Sequence, residues 1–150
     1  MTFGVNTIAL ALFVAWNRIT PDWDWLLLPV LFVELYAFAL GVSLVLATMF
    51  VRFRDTGQVW ELVAQLMFWA SPIIYPVGFL PPWFKPIAFL NPFVQVMQDV
   101  RAILLGPSVV TADDILGDLG RLLPTAIVVG VLALGVAIFR REEGGFAERL

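Results

Sequence analysis

The stretch LLLPVLFVELYAFALGVSLVLATMFV, residues 26–51, carries a single charge, Glu34, in 26 positions. As a helix rising ~1.5 Å per residue it reaches roughly 39 Å, against a hydrocarbon core of about 30 Å, which predicts a tilted membrane span. The rest of the chain has the same character. Of its 150 residues 61% are hydrophobic and 14% charged, with a mean hydropathy of +0.91, whereas soluble domains average about 25% charged. The composition therefore predicts an all-α integral membrane protein, with residues 1–150 forming one transmembrane domain.

Upstream, residues 1–16 are uncharged but make only ~24 Å of helix, a short or truncated span. They lack the basic start and small-residue cleavage site of a signal peptide. Residues 17–25 form a polar turn ending in Trp23 and Trp25, as at a membrane interface. Downstream, Arg52, Arg54 and Asp55 mark a compact charged loop, and residues 59–80 are predicted as the next span. Asp55 or Thr56 can cap that helix, and Asp55 with Gln58 fits a capping box. Within Ser71-Pro72-Ile73-Ile74-Tyr75-Pro76 each proline lacks an N–H and clashes with the preceding turn, so Pro72 and Pro76 kink or end the helix.

Residues 81–106 follow as a re-entrant or interfacial helical hairpin. Its second helix is capped by Asn91, takes Pro92 at its first position, and stops near residue 105 at Gly106-Pro107. A helical wheel places Gln95, Gln98, Asp99 and Ala102 opposite Phe93, Val96, Met97, Val100, Ile103 and Leu104. Arg101 lies at the edge of the apolar side, where it must snorkel or pair. Residues 108–121 read as an exposed loop with a short capped turn, and 122–139 as the last span, followed by Arg140-Arg141-Glu142-Glu143. Four spans are thus expected, one of them short. Alternation puts the Arg52 loop and the carboxy-terminal tail on one side, and the excess of arginine makes that side cytoplasmic.

The chain contains neither cysteine nor histidine, which removes thiol and imidazole chemistry and the usual zinc sites, and no metal site is expected. Its net charge of −3 includes no basic run of the kind that nucleic acid demands. The one lysine, Lys85, lies among prolines, so no phosphate-binding loop ends in lysine and no catalytic residue is assigned. Glu61 sits at the start of residues 59–80, so Glu34 is the one ionisable group well inside a span, and it is either a polar group on a translocation path or a carboxyl hydrogen-bonded to a neighbouring helix. Trp69, Tyr75, Phe79, Trp83, Phe84, Phe89 and Phe93 gather where the chain breaks. They suit interfacial anchoring or stacking on sugar rings.

The ordered series Arg52-Phe53-Arg54-Asp55, Ser71-Pro72-Ile73-Ile74-Tyr75-Pro76, Leu90-Asn91-Pro92, Phe139-Arg140-Arg141-x-Glu143 and Phe146-Ala147-Glu148 resembles the permease subunits of type-2 ABC exporters, specifically those that export O-antigen, capsule or teichoic acid polymers. The resemblance implies a six-helix plasma-membrane subunit of bacteria with a cytoplasmic carboxy terminus, pairing with a second permease copy and with ATP-binding subunits. Those partners, not this chain, would hold ATP and magnesium. It further implies a lipid-linked polysaccharide or polyol-phosphate substrate, membrane lipid as surroundings, and re-entrant helices between the last two spans. On this likeness the four spans correspond to the third to sixth helices, so the chain is expected to be a carboxy-terminal piece, or else one whose missing half comes from another chain. Translocation-path residues are then Glu34, Trp69, Tyr75, Trp83 and Phe84, with Arg52, Arg54 and Asp55 as a contact for the ATP-binding subunit. Export of drugs or small lipids, a self-contained channel or ion-coupled carrier using Glu34, and a purely structural membrane subunit are the alternatives.

Overall fold

The computed structural model describes residues 23–53 and 55–149, with 119 and 143–149 described by backbone alone. All regular structure among the described residues is helical. A 3-10 turn, Trp23–Leu27, leads into α1, Leu28–Arg52, which has Pro29 in its first turn, where a missing N–H costs nothing. A short turn connects it to α2, Thr56–Ala70, and a 3-10 turn follows at Val77–Phe79. Then come α3, Lys85–Phe89, α4, Pro92–Leu105, and α5, Ala112–Leu116. The chain closes with α6, Leu122–Arg149.

Two described segments, Trp23–Arg52 and Leu122–Glu142, are long and apolar enough to cross a membrane. The expected span 59–80 differs. Its helix ends at Ala70, and its 15 residues make about 22 Å, short of a hydrocarbon core. The reason is the pair Pro72 and Pro76, which stops the helix outright where a kink was the alternative. The expected first span, residues 1–16, lies outside the described residues. At the other end α6 does not stop at Phe139 but runs on through Arg140 and Arg141 to Arg149. Charged residues end the apolar segment without ending the helix.

The seam between α1 and α6 fixes their relative direction. Thr125 Oγ1 lies 2.6 Å from Glu34 Oε1, 91 residues apart in sequence. The same offset recurs where Gly41 meets Leu132 and where Gly135 meets Leu44, so the two helices run parallel and in register. Arg52 and Arg140–Arg141 therefore lie at one end of the pair, and the α6 start at the other. The contact is backbone on backbone. A Cβ on Gly41 would stand 2.8 Å from Leu132 Cα, and one on Gly135 would stand 2.6 Å from the Gly41 carbonyl oxygen. Only hydrogen fits at either position.

At the end away from Arg52, a small core joins the short elements. Val77, Phe89 and Ala112 are buried together, with Ile115 and Leu116 packed against them. Asn91 Oδ1 accepts from the Phe93 N–H at 3.1 Å, and Gly106 ends α4 with φ 94°, a conformation open to glycine. A capping box between Thr111 and Asp114 starts α5. The expected cap of α2 takes another form. Asp55 occupies the N-cap without a side-chain hydrogen bond, so the box with Gln58 does not form. Instead the Thr56 hydroxyl reaches back to the carbonyls of Phe53 (2.8 Å) and Met49 (3.2 Å), tying the turn to the end of α1.

The exposed surface is far more apolar than that of a soluble domain, and several polar groups are buried. On α2 every residue from 58 to 70 is exposed, including Trp60, Leu62, Leu66 and Trp69, while Thr48, Thr56, Ser71, Gln95, Gln98 and Asp99 are buried. Water penalises such an apolar surface and hydrocarbon does not. The polar side of α4 accordingly faces inward, toward α1 and α6.

Candidate functional site

The break after α2 frees backbone carbonyls that would otherwise accept from the following turn, and each must find another donor. Met67 O accepts from the Ser71 N–H (3.0 Å) and the Ser71 hydroxyl (2.7 Å). Trp69 O accepts from the Tyr75 phenol at 2.9 Å. The carbonyls of Pro72 and Ile73 accept from the two terminal nitrogens of Arg101, the first at 2.9 Å. A cation at the carboxyl end of a helix also opposes the negative end of its dipole. Arg101 thus pairs as its place on the wheel demands, and what it pairs with is the helix break itself.

These contacts bring Trp69 and Tyr75 together. Trp69 is exposed and stands edge-on to Phe68, with ring centroids 5.9 Å apart. Trp83 and Phe84 form a second edge-on pair at 5.6 Å, with Trp83 exposed. Phe79 is exposed as well, whereas Phe89 is wholly buried in the small core and belongs to packing, not to the outer aromatic cluster. Pro76 precedes the 3-10 turn, and Asn91 and Pro92 open α4 as expected. Glu34 stands apart from this group, in the α1–α6 seam.

A charged cluster joins α4 to the start of α6. Asp99 is fully buried, and its Oδ2 accepts from Gln95 Nε2 at 2.8 Å and faces Arg121 Nε at 3.3 Å. Arg121 also lies 3.7 Å from Asp113 of α5. Burial pushes the Asp99 carboxyl above the usual range, and the Gln95 bond and the Arg121 charge partly offset that rise. Asp99 Oδ1 and Gln95 Oε1 are buried without a hydrogen-bond partner. Asp114 shifts the opposite way, held below the ordinary range by the Thr111 N–H at 2.8 Å and hydroxyl at 2.9 Å. None of the pairings of Asp99, Arg101 or Thr125 was assigned from sequence. The signals in the sequence are Arg101's place on the wheel, the prolines of the break, and Glu34 as a carboxyl able to bond a neighbouring helix, which Thr125 supplies.

At the opposite end, Arg52 closes α1 with its guanidinium 5.8 Å from the Phe53 ring centroid, and Asp55 is exposed. Arg54 lies outside the described residues.

Two substitutions probe this geometry. Arg101→Met leaves two carbonyls without their charged donor, and is expected to cost on the order of 3 kcal/mol and to raise proteolysis between residues 71 and 80. Unchanged cleavage there would show that the clasp does not hold the break. Glu34→Gln keeps an acceptor for Thr125 and is expected to shift stability by less than about 1 kcal/mol, while Glu34→Ala costs about 1–2 kcal/mol. Equal melting temperatures for the two variants would remove the seam role.

Comparison with known proteins places these features in context. The family model described as ABC-2 type transporter matches residues 1–105. The chain is 27% identical over 146 residues to an O-antigen export system permease protein RfbA of Klebsiella pneumoniae, covering 97% of this chain and 53% of that protein. It is 28% identical over 132 residues to the O-antigen export system permease protein RfbA of Myxococcus xanthus, covering 87% of this chain and 48% of that one. The chain spans about half the length of the curated relatives it matches.

Proposed function

Because the chain belongs to the ABC-2 type transporter family, we propose that it forms part of a permease exporting lipid-linked polysaccharide or polyol-phosphate polymer across the bacterial plasma membrane. The observation that carries this reading is the likeness to O-antigen export permeases along 97% of the chain. ATP hydrolysis on separate subunits, which also hold the magnesium, drives the cycle, and a second permease copy completes the path. The helical architecture, its two membrane-length segments and its lipid-suited surface agree with an integral membrane transporter component.

In this reading the end carrying Arg52 and Arg140–Arg141 faces the cytoplasm, by the excess of arginine there. The turn with Arg52, Arg54 and Asp55 then lies where an ATP-binding subunit docks. The hairpin of α3 and α4 lies at the outer face as a re-entrant or interfacial element. Trp69, Tyr75, Trp83 and Phe84 offer aromatic faces to the C–H surfaces of sugar rings, and Glu34, tied to Thr125, holds the seam of α1 and α6 beside the path. Rocking of the permeases on ATP binding by the partner would move α2 against α1 about the turn that Thr56 fastens.

The test is isolation of the affinity-tagged chain from native membranes in mild detergent. Recovery of an ATP-binding subunit, with export lost on disruption of the Arg52–Asp55 turn, is the expected result. Recovery of the chain with no ATP-binding subunit would sink the reading.

A further inference from the structure

Beside the clasp of Arg101 lies a cavity of about 380 Å³, walled by the broken segment, the last turns of α4 and the loop before α5, with Tyr75, Gln98, Arg101, Leu105 and Ser108 among its lining residues. Two of these carry unmet chemistry. Arg101 has five N–H donors, of which the Pro72 and Ile73 carbonyls take two. Carbonyls are neutral, and the ion pairs found among the described residues, Asp99 and Asp113, both belong to Arg121. The Arg101 charge therefore has no carboxylate counterpart there. Gln98 stands one turn before Arg101 on α4, is only 2% exposed, and makes no side-chain hydrogen bond among the described residues. Among the described residues the fully buried side-chain atoms without a partner are Gln95 Oε1 and Asp99 Oδ1, so the Gln98 amide keeps an opening, and it lines the cavity.

A cation lacking an anion and an amide lacking both donor and acceptor partners, with the Ser108 hydroxyl and the Tyr75 ring beside them, define the missing group. Inorganic phosphate would answer Arg101 and leave the amide and most of the volume empty. A neutral sugar would answer Gln98 and leave the charge. We propose that this cavity binds a phosphoester that carries hydroxyl groups, its anion on Arg101 and its hydroxyls on Gln98 and Ser108. Such chemistry comes from two sources, a glycosyl phosphate of an exported polymer or a phosphoglycerol lipid headgroup. The first source rests on the exporter reading, and the site itself rests on the cavity.

The experiment uses the full chain in phosphatidylcholine nanodiscs and saturation-transfer NMR with glucose 1-phosphate, inorganic phosphate and methyl glucoside as probes. Glucose 1-phosphate is expected to bind roughly tenfold more tightly than either of the others, a difference of about 1.4 kcal/mol. Gln98→Leu is expected to abolish most of that preference. Ser108→Ala, at an exposed loop position where folding is not at stake, is expected to weaken binding severalfold. No preference over methyl glucoside, or affinity unchanged in both variants, overturns the proposal. Displacement of the probe by phosphatidylglycerol in the disc supports the site with a lipid headgroup as ligand, and retention supports it with a glycosyl phosphate. Binding by a chain that recovers no ATP-binding subunit keeps the site and removes the exporter reading, while the reverse pattern removes the site alone.

Discussion

Gly41→Leu is expected to cost at least about 3 kcal/mol, the upper end of what overpacking does in protein interiors, and to lower the melting temperature in detergent by roughly 10 °C. The size follows from what stands in the way. The added Cβ alone meets Leu132 Cα and N at 2.8 Å and the Val131 carbonyl carbon at 2.9 Å, all backbone of a long regular helix. No rotamer change relieves a clash with main chain, so α1 and α6 must separate along the seam that Glu34 and Thr125 also hold. Close backbone approach at small residues is how helices associate in lipid, where apolar burial gives no net drive. Gly135→Ala meets the Gly41 carbonyl at 2.6 Å and should behave alike. Gly130→Leu is the control, because nothing lies within 4 Å of its would-be Cβ. Equal melting temperatures for Gly41→Leu and Gly130→Leu would falsify the seam.

What was legible in the sequence was local. The apolar run of α1, the Asn91-Pro92 start and Gly106 stop of α4, and the proline break each depend on residues within one or two turns, and each appears where expected. The apolar run 59–80 is longer than its helix, which ends at Ala70 at the proline break, because hydropathy continues past that residue while hydrogen bonding does not. The parallel register of α1 and α6 rests on an offset of 91 residues, which no periodicity carries. The candidate site was half visible. Pro72, Pro76, Tyr75 and Arg101 stand out in the sequence, but Arg101 reaches its carbonyls across 28 and 29 residues, and Asp99 finds Arg121 across a loop and α5. A wheel shows which residues share a side, not that the polar side turns inward.

Arg121→Met is expected to cost about 2–4 kcal/mol near pH 8, somewhat below the loss seen when a wholly buried pair is broken, because the Arg121 side chain is itself half exposed. The change strands the Asp99 carboxylate, fully buried, on Gln95 alone. The sign with pH follows from the direction of the Asp99 shift. Burial raises its native value above the ordinary 3.8, so the folded chain holds that proton to higher pH than the unfolded one. Its contribution is fully present below the ordinary value and is lost as pH rises through the native one. Removing Arg121 takes away a charge that lowers the native value, which moves the loss to higher pH and enlarges it. Arg121→Met should therefore be less destabilising at acidic pH than at about pH 8, since protonation of Asp99 removes the bare anion. Asp114 does not confuse the comparison. Its shift is downward, so its stabilisation is lost only as pH falls below the ordinary 3.8. Asp99→Asn removes the buried anion and leaves Arg121 with Asp113 and water, at a cost of about 1 kcal/mol and with the dependence on pH in this window flattened. The double variant Asp99→Asn with Arg121→Met should then melt close to Asp99→Asn alone, because the stranded anion responsible for the penalty no longer exists. If Arg121→Met loses the same stability at both pH values, or adds its full penalty on top of Asp99→Asn, Arg121 acts through packing of its alkyl stem and not by compensating Asp99.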